Sequence, residues 1–465
     1  MAFTLQPFLF KWEEVDARSD LDRLRLVLEA LPDEALVRKL ETARRRGRDD
    51  YPVRACWNAL IAGVVYQHPS AAALLRELRR NGELRAACGF NPLLGVTAAP
   101  PEWAFSRFLK NLVGQEQEVR RMFETLVERV AQELPDFGRH LAVDGKAIPS
   151  HATGRKNRKT GVTSDPDAAW GVKTSLGEKD GKPYEKVSKW FGYTLHLAVD
   201  ATHELPLAYE VTPANASETT MLLPLVEQIA GQTPTVHERI ETAAADRGYD
   251  SAEIHSALWK EHGIKGVIDN RALWKVEKKE PGYDPQQEIT RPLFPGRADV
   301  VVYSEKGVVS CQCPVTGARR EMAFSGFEQD RDSLKYRCPA AAYDLECAGR
   351  TECAKAAGVQ PGSYGRIVRI PLERDRRIFT PLARSSYAWK TQYAKRTAVE
   401  RVNSRIDQVY GFEAHFIRGK AKMTLRVGLA LTVMLAVALG HLKEKRAGHI
   451  RSLVRAYRPP ERRAG

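Results

Sequence analysis

Apolar residues recur at helical spacing through the first part of the chain. Leu21, Leu24, Val27, Leu28 and Leu31 would share one helix face, and Val53–Tyr66 and Ala72–Leu84 repeat the pattern. Phe105–Leu134 carries two more amphipathic segments. Gly and Pro punctuate between them, as at His68-Pro69 and Asn91-Pro92. Residues 1–135 are expected to be a helical domain, with Arg44, Arg45 and Arg46 in a loop and Arg76, Arg79 and Arg80 along one helix; such basic edges fit a DNA-binding domain and equally a solvated surface.

Near residue 139 the pattern changes. His140–Asp144 is a short apolar run that ends on an acid, Tyr193–Val199 alternates, and Leu205–Val211 is a third strand. Glu218–Ile229 looks helical, Thr242–Ala245 is a short buried strand, and Gly263–Ile268 is another. Asp250 and Glu253 have the spacing of a capping box for the helix between them. Strands in succession, then strands alternating with helices, predict a mixed α/β sheet over residues 136–271.

Residues 272–385 differ again, with Pro-Gly turns at 281–282 and 295–296, short strands such as Val300–Tyr303, and crowded cysteines. They are expected to be an inserted β-rich subdomain. Two long helical patterns, Ser386–Val409 and Met423–Leu442, fill residues 386–465 and should return to the core.

Charge sharpens this outline. A chain of 465 residues with a net charge of +14 favours a polyanionic partner, nucleic acid foremost. A hydrophobic share of 43% argues against disorder. The apolar run Val427–Leu439 is shorter than the ~20 residues a membrane span needs. The expectation is a soluble, cytoplasmic protein, associated with the nucleoid and not with a membrane.

Three acids stand where chemistry would need them. Asp144 and Asp246 each follow a short apolar strand, and carboxylates at strand ends face the crevice where open α/β sheets bind ligands. Glu400 lies inside a helical stretch. Taken singly, each has another reading: Asp144-Gly145 is also a turn signal, Asp246 could cap a loop, and Glu400 could be a surface charge. Together they offer hard oxygen ligands of the kind Mg²⁺ prefers.

Three segments carry a family resemblance: Leu141-Ala142-Val143-Asp144-Gly145-Lys146, Ala245-Asp246-Arg247-Gly248-Tyr249-Asp250, and Tyr393-x-x-Arg396-x-x-x-Glu400. The stretches Phe191–His196 and Leu205–Ala216, and Tyr51–Arg54 near the start, add to it. The chain resembles DDE transposases of bacterial insertion sequences. That resemblance implies an RNase H-like core, with Asp144, Asp246 and Glu400 holding two divalent ions, Mg²⁺ or Mn²⁺. It further implies cleavage at the element's ends and joining of the freed 3′-OH to target DNA. The partners would be double-stranded DNA, as terminal inverted repeats and target, and a second copy in a homodimer. Tyr393 and Arg396 would contact phosphate or a base. The family signature ends in Lys seven residues after the Glu, where this chain has Asp407, and Arg405 could take that part. Lys146 and the basic loop with Lys156 and Arg158 are further candidate DNA contacts. His196 could face the metals or be a buried structural residue.

Asp144 and Asp246 are 102 positions apart, whereas 154 separate Asp246 from Glu400, so a folded insert must occupy the second gap. Cys311, Cys313, Cys338, Cys347 and Cys353 lie within it. Four of these thiolates could close a structural zinc site, or all could be free thiols. Two other functions share the acids: an inactive DNA-binding protein derived from a transposase, and an RNase H-like nuclease or resolvase that cuts without joining.

Overall fold

The structure, a computed structural model, describes residues 21–44, 50–179, 182–271, 273–274, 288–295, 300–358 and 365–451. Met1–Trp12, Arg45, Arg46, the Pro281-Gly282 turn, Gly296 and the basic tail beyond Arg451 lie outside these residues.

Helices α1 (Leu21–Ala30), α2 (Glu34–Arg44), α3 (Val53–Val65), α4 (Ala71–Arg80), α5 (Gly82–Cys88), α6 (Glu102–Val113) and α7 (Glu116–Glu133) form the N-terminal part. The single helix expected over 72–84 is two. Asn81 is extended at φ −105° and ψ 101°, and its side chain accepts from the Leu84 amide at 2.9 Å, which starts α5. This is cap chemistry inside an apolar period, which periodicity does not register.

The central sheet comprises β1 (His140–Pro149), β2 (Ala169–Lys179), β3 (Lys182–Asp200), β4 (Leu205–Pro213), β5 (Thr242–Ala245) and β6 (Lys265–Ile268). β1 runs antiparallel to β3 and parallel to β5, and β5 is parallel to β6. The first half of β3 pairs with β2 as an arm, and the second half lies between β1 and β4. Helices α8 (Leu222–Gln232), α9 (Pro234–His237) and α10 (Ala252–Lys260) connect the strands. The proposed capping box at α10 is absent: Ser251 is the N-cap, and the Asp250 carboxylate instead accepts from Arg377 Nε at 2.9 Å.

The insert has its own core around Tyr303, Leu334, Tyr336, Ile370 and Phe379. One sheet holds β7 (Thr290–Pro292), β8 (Val301–Ser304), β9 (Val309–Gln312) and β10 (Arg319–Glu321). The other holds β11 (Ala323–Glu328), β12 (Ser333–Arg337) and β13 (Ile367–Pro371), with α11 (Pro339–Ala342) and α12 (Arg350–Ala357) between the last two. Trp259 on α10 joins insert to sheet, packing on Phe327 at 5.3 Å and donating to Asp332 Oδ1 at 2.8 Å.

The C-terminal helices are α13 (Tyr387–Ala394), α14 (Thr397–Tyr410) and α15 (Lys420–Lys443). α15 is long and apolar enough to cross a membrane, so the apolar stretch is longer than its central run suggests. Yet 94% of its most apolar window is buried in the protein. It packs on α7, α1, α3 and β4, and a Cβ on Gly440 would come within 2.4 Å of Leu26. One continuous apolar core therefore runs from Leu24 through the sheet to α15, so the N-terminal helices and the sheet share their core.

Candidate active site

The register of β1 and β5 decides where the first two acids meet. Val143 pairs with Ala245 across the parallel ladder, so the next residues, Asp144 and Asp246, emerge side by side. Ala245 pairs in turn with Ile268, which places Asp269 beside Asp246. β1 does not end at Asp144 as expected. It continues to Pro149 against β3, so Asp144-Gly145 is extended strand and not a turn. What ends there is the parallel pairing, and that opens the crevice.

The Asp246 carboxylate accepts from the Gly248 amide at 2.7 Å and opens a tight helical turn over Arg247–Tyr249. Thr219 donates to the Gly248 carbonyl at 2.8 Å and ties this turn to the segment before α8. That tether brings in a residue the sequence reading missed, Glu218. Its carboxyl carbon lies 2.9 Å from where a Cβ on Gly145 would be, so the absent side chain makes room for it. Tyr249 is fully buried, and its hydroxyl has no hydrogen-bond partner.

Burial raises the Asp144 carboxyl, Asp246 adds to the rise, and Lys173, the Gly145 amide and Arg396 oppose it. Glu218 is raised by burial and by Asp144 and Asp246, and is opposed by Lys173, whose Nζ is 3.9 Å away. Tyr249 is raised by burial first, then by Asp144, Glu218 and Asp246. Asp144 and Glu218 are thus both held toward their neutral forms, chiefly by burial, and a divalent cation would reverse that trend. Among the described residues, no group of three or more His, Cys, Asp or Glu side chains is placed so as to hold a metal ion. The donor chemistry nevertheless fits a hard cation: oxygen ligands, a buried unpartnered hydroxyl and a cleared backbone at Gly145.

Glu400 approaches from α14. The helix expected over 386–409 breaks into α13 and α14 at Lys395 and Arg396, which puts Glu400 in the first turn of α14. Its carboxylate accepts from Arg396 Nη1 at 2.6 Å, and its side chain is 49% exposed. Arg396 also acts on Asp144 and lies 5.8 Å from the centre of the Tyr393 ring. Tyr393 stacks on Trp389 at 4.9 Å, and both pack against Ala244 and Val267 beneath the strand ends. Tyr393 and Arg396 thus stand beside the crevice, while Glu400 is held by Arg396.

Residues 135–436, about two thirds of the chain, match the family described as the transposase DDE domain. The chain belongs to that family. Its fold is RNase H-like, as the mixed sheet shows. Residues 13–111 match a second family, described as a transposase domain. A transposase assigned to insertion sequence element IS402 of Burkholderia cepacia is 33% identical over 118 residues, which are 23% of this chain and 54% of that protein. The chain thus spans about half the length of that relative. No solved structure matches.

Other candidate residues of this transposase domain lie around the crevice. Lys146 Nζ is 2.5 Å from Asp407 Oδ2. Arg405 does not reach the strand-end acids: its guanidinium donates to the Glu204 carbonyl, at the turn between β3 and β4. The 155–159 loop exposes Lys156 and Arg158. It is rooted by Asp165, which accepts from Ser150 at 2.6 Å, Tyr193 at 2.7 Å and the Gly419 amide at 3.0 Å. His196 is a buried structural residue, bonded to Thr212 Oγ1 at 2.8 Å and pushed down to about 4 by burial. The arm of β2 and β3 was not foreseen. It exposes Trp170, Val172, Tyr184 and Val187, so neither face shows a burial period.

The five insert cysteines line one cavity of about 270 Å³. Burial raises Cys311 to about 11, with Cys338, Cys353 and Cys347 adding to it. Cys313 behaves differently. Hydrogen bonds from Thr316, whose amide is 3.5 Å away, lower it to about 7. Cys56 and Cys88 belong to the apolar core.

Proposed function

We propose that this chain is a DNA transposase that cuts at the ends of an insertion sequence and joins the freed 3′-OH to target DNA. The observation that carries the reading is the adjacency of Asp144 and Asp246 on parallel strands, beside the helix that bears Glu400 and the Arg396 that precedes it. Asp144, Asp246 and Glu400 would hold two divalent ions, Mg²⁺ or Mn²⁺, whose chemistry is to lower the pKa of water and neutralise charge on attacking and leaving oxygens.

In the first reaction water adds to a phosphorus at the element's end. The 3′ oxygen leaves and takes up a proton. In the second, that hydroxyl adds to a target phosphorus, loses its proton, and displaces the target's own 3′ oxygen. Both substrates are anionic, and Arg396 can bind their phosphate bidentately once it releases Glu400. Tyr393 buttresses Arg396, whose guanidinium lies over its ring. The loop bearing Lys156 and Arg158, and the exposed arm of β2 and β3, would track the phosphate backbone. Cutting two ends together calls for two copies, so we assign a homodimer on DNA. In the insert, zinc would draw together four of Cys311, Cys313, Cys338, Cys347 and Cys353, which line one cavity.

The deciding experiment incubates the protein with a pre-cleaved end oligonucleotide, a plasmid target and Mg²⁺. Joined product is expected, and it should vanish in Asp144→Ala, Asp246→Ala and Glu400→Gln. Cutting without joining would indicate a nuclease, and DNA binding with neither would indicate an inactive derivative.

A further inference from the structure

The arm of β2 and β3 has two unlike faces. β1 and β4 pair with β3 only from Gly192 and Tyr193 onward, so the stretch before Phe191 is a two-stranded ribbon. Alternate residues of a strand share a face, and the register Gly171–Trp190 and Lys173–Ser188 puts these four with Lys186 and Tyr184. Trp190 lies across Gly171, where any side chain would collide with its ring. Beyond it come Lys173 and Lys186, both exposed, and Tyr184, 48% exposed. None of the arm's described carboxylates is on this face; Glu185 is on the other, with Trp170, Val172 and Val187. The lysine face also adjoins the crevice. Lys173 Nζ is 3.9 Å from Glu218 Oε1, and the Glu218 carboxyl carbon lies over Gly145, next to Asp144. From Ser188, which pairs with Lys173, the strand carries Tyr184 about 13 Å farther along. Aromatic, cation, cation and aromatic therefore follow one another along the ribbon, starting at the crevice. An exposed ring interleaved with lysines suits a strand whose bases are unstacked: the ring takes a base face and the lysines take the phosphates. Bases inside a duplex are already stacked and offer Tyr184 no face.

We propose that this face of the arm binds unpaired nucleotides of a DNA strand at the crevice, with a base stacked on Tyr184 and phosphates on Lys173 and Lys186. The proposal rests on the transposase reading for the source of that strand, but not for its binding. Trp190 is the fixed floor of the face, since its indole N–H donates to the Tyr193 carbonyl at 3.1 Å. Lys173 can change partners, because its pair with Glu218 is long and its side chain is 51% exposed.

The test is fluorescence anisotropy of a labelled oligo-dT of about 12 nucleotides with the full-length protein, without added divalent metal. Tyr184→Ala should weaken binding about five-fold or more, and Tyr184→Phe should stay within about two-fold of the parent. Lys186→Gln should weaken binding and lower the slope of log affinity against log salt by about 0.7. Val172→Thr, on the other face, should change affinity less than about two-fold. If Tyr184→Ala shifts the thermal midpoint, the salt slope of Lys186→Gln carries the test. Parental affinity in a folded Tyr184→Ala protein overturns the proposal. So does an equal loss in Val172→Thr, an equal loss of duplex affinity in Tyr184→Ala, or failure of the parent to bind the oligonucleotide. If the oligonucleotide binds as expected yet the protein yields no joined DNA, the transposase reading fails and this one stands. If joining proceeds while Tyr184→Ala binds the oligonucleotide like the parent, this one alone fails.

Discussion

Lys146 and Asp407 form an ion pair at 2.5 Å, between the strand that carries Asp144 and the helix that carries Glu400. Asp407 stands where the family signature that this chain resembles ends in Lys, and the cation comes instead from Lys146, two residues past Asp144. Lys146 is only 12% exposed, so part of its charge is spent on Asp407 and not on solvent or DNA.

A charge-swap series tests that pair. Asp407→Lys should destabilise the protein by about 1–2 kcal/mol, because it sets two cations together in a half-buried place. Adding Lys146→Asp should restore more than half of the loss in urea unfolding. Equal stability of the single variant and the parent would mean that the pair contributes nothing.

Arg396 should matter to DNA and little to stability. Arg396→Ala is expected to lower joining by about 10²-fold or more. Urea stability should stay within about 1 kcal/mol of the parent, because its pair with Glu400 is half exposed. A large loss in both measurements would place Arg396 in the architecture of the site.

Gly145 should resist substitution. A Cβ there would lie 2.9 Å from the Glu218 carboxyl, so Gly145→Ala should displace Glu218 and destabilise the protein by about 1–3 kcal/mol in urea unfolding. Unchanged stability would show that Glu218 yields without consequence.

Asp250 carries a stability signature in acid. Burial alone would raise its carboxyl, but His255, Arg377 and the Arg271 amide outweigh burial and hold it at about 2. A value below the unfolded one means that the native state favours the ionised form. The contribution is present above about pH 4 and is lost as the pH falls toward 2, amounting to about 2 kcal/mol. Asp250→Asn should flatten urea stability across that window. An unchanged slope would dissociate Asp250 from acid unfolding.

Among the cysteines, Cys313 should alkylate first near neutral pH, since its thiol titrates at about 7 whereas buried Cys88 is pushed up to about 12. Metal analysis decides zinc. About one equivalent per chain is expected if four of the five insert cysteines close on it, and less than about half an equivalent counts against it.

Much of this architecture is written locally. Helical periods marked α1, α3, α6 and α7, alternation marked the second half of β3, and the short apolar runs before Asp144 and Asp246 marked β1 and β5. Caps were less legible, because Asn81 and Arg396 interrupt helices without interrupting the apolar period. The β2–β3 arm was illegible because both its faces are exposed.

By itself the sequence determined which acids end apolar runs and that Arg396 and Glu400 stand at pairing distance, four residues apart. These follow from nearest-neighbour chemistry along the chain. Only the tertiary structure decided that Val143 registers with Ala245, that Glu218 lies over Gly145, that Lys146 meets Asp407, and that Arg405 turns away to Glu204. Each of these joins residues far apart in the chain, through strand register or side-chain packing. No local period encodes such contacts, because they exist only once the shared core has closed.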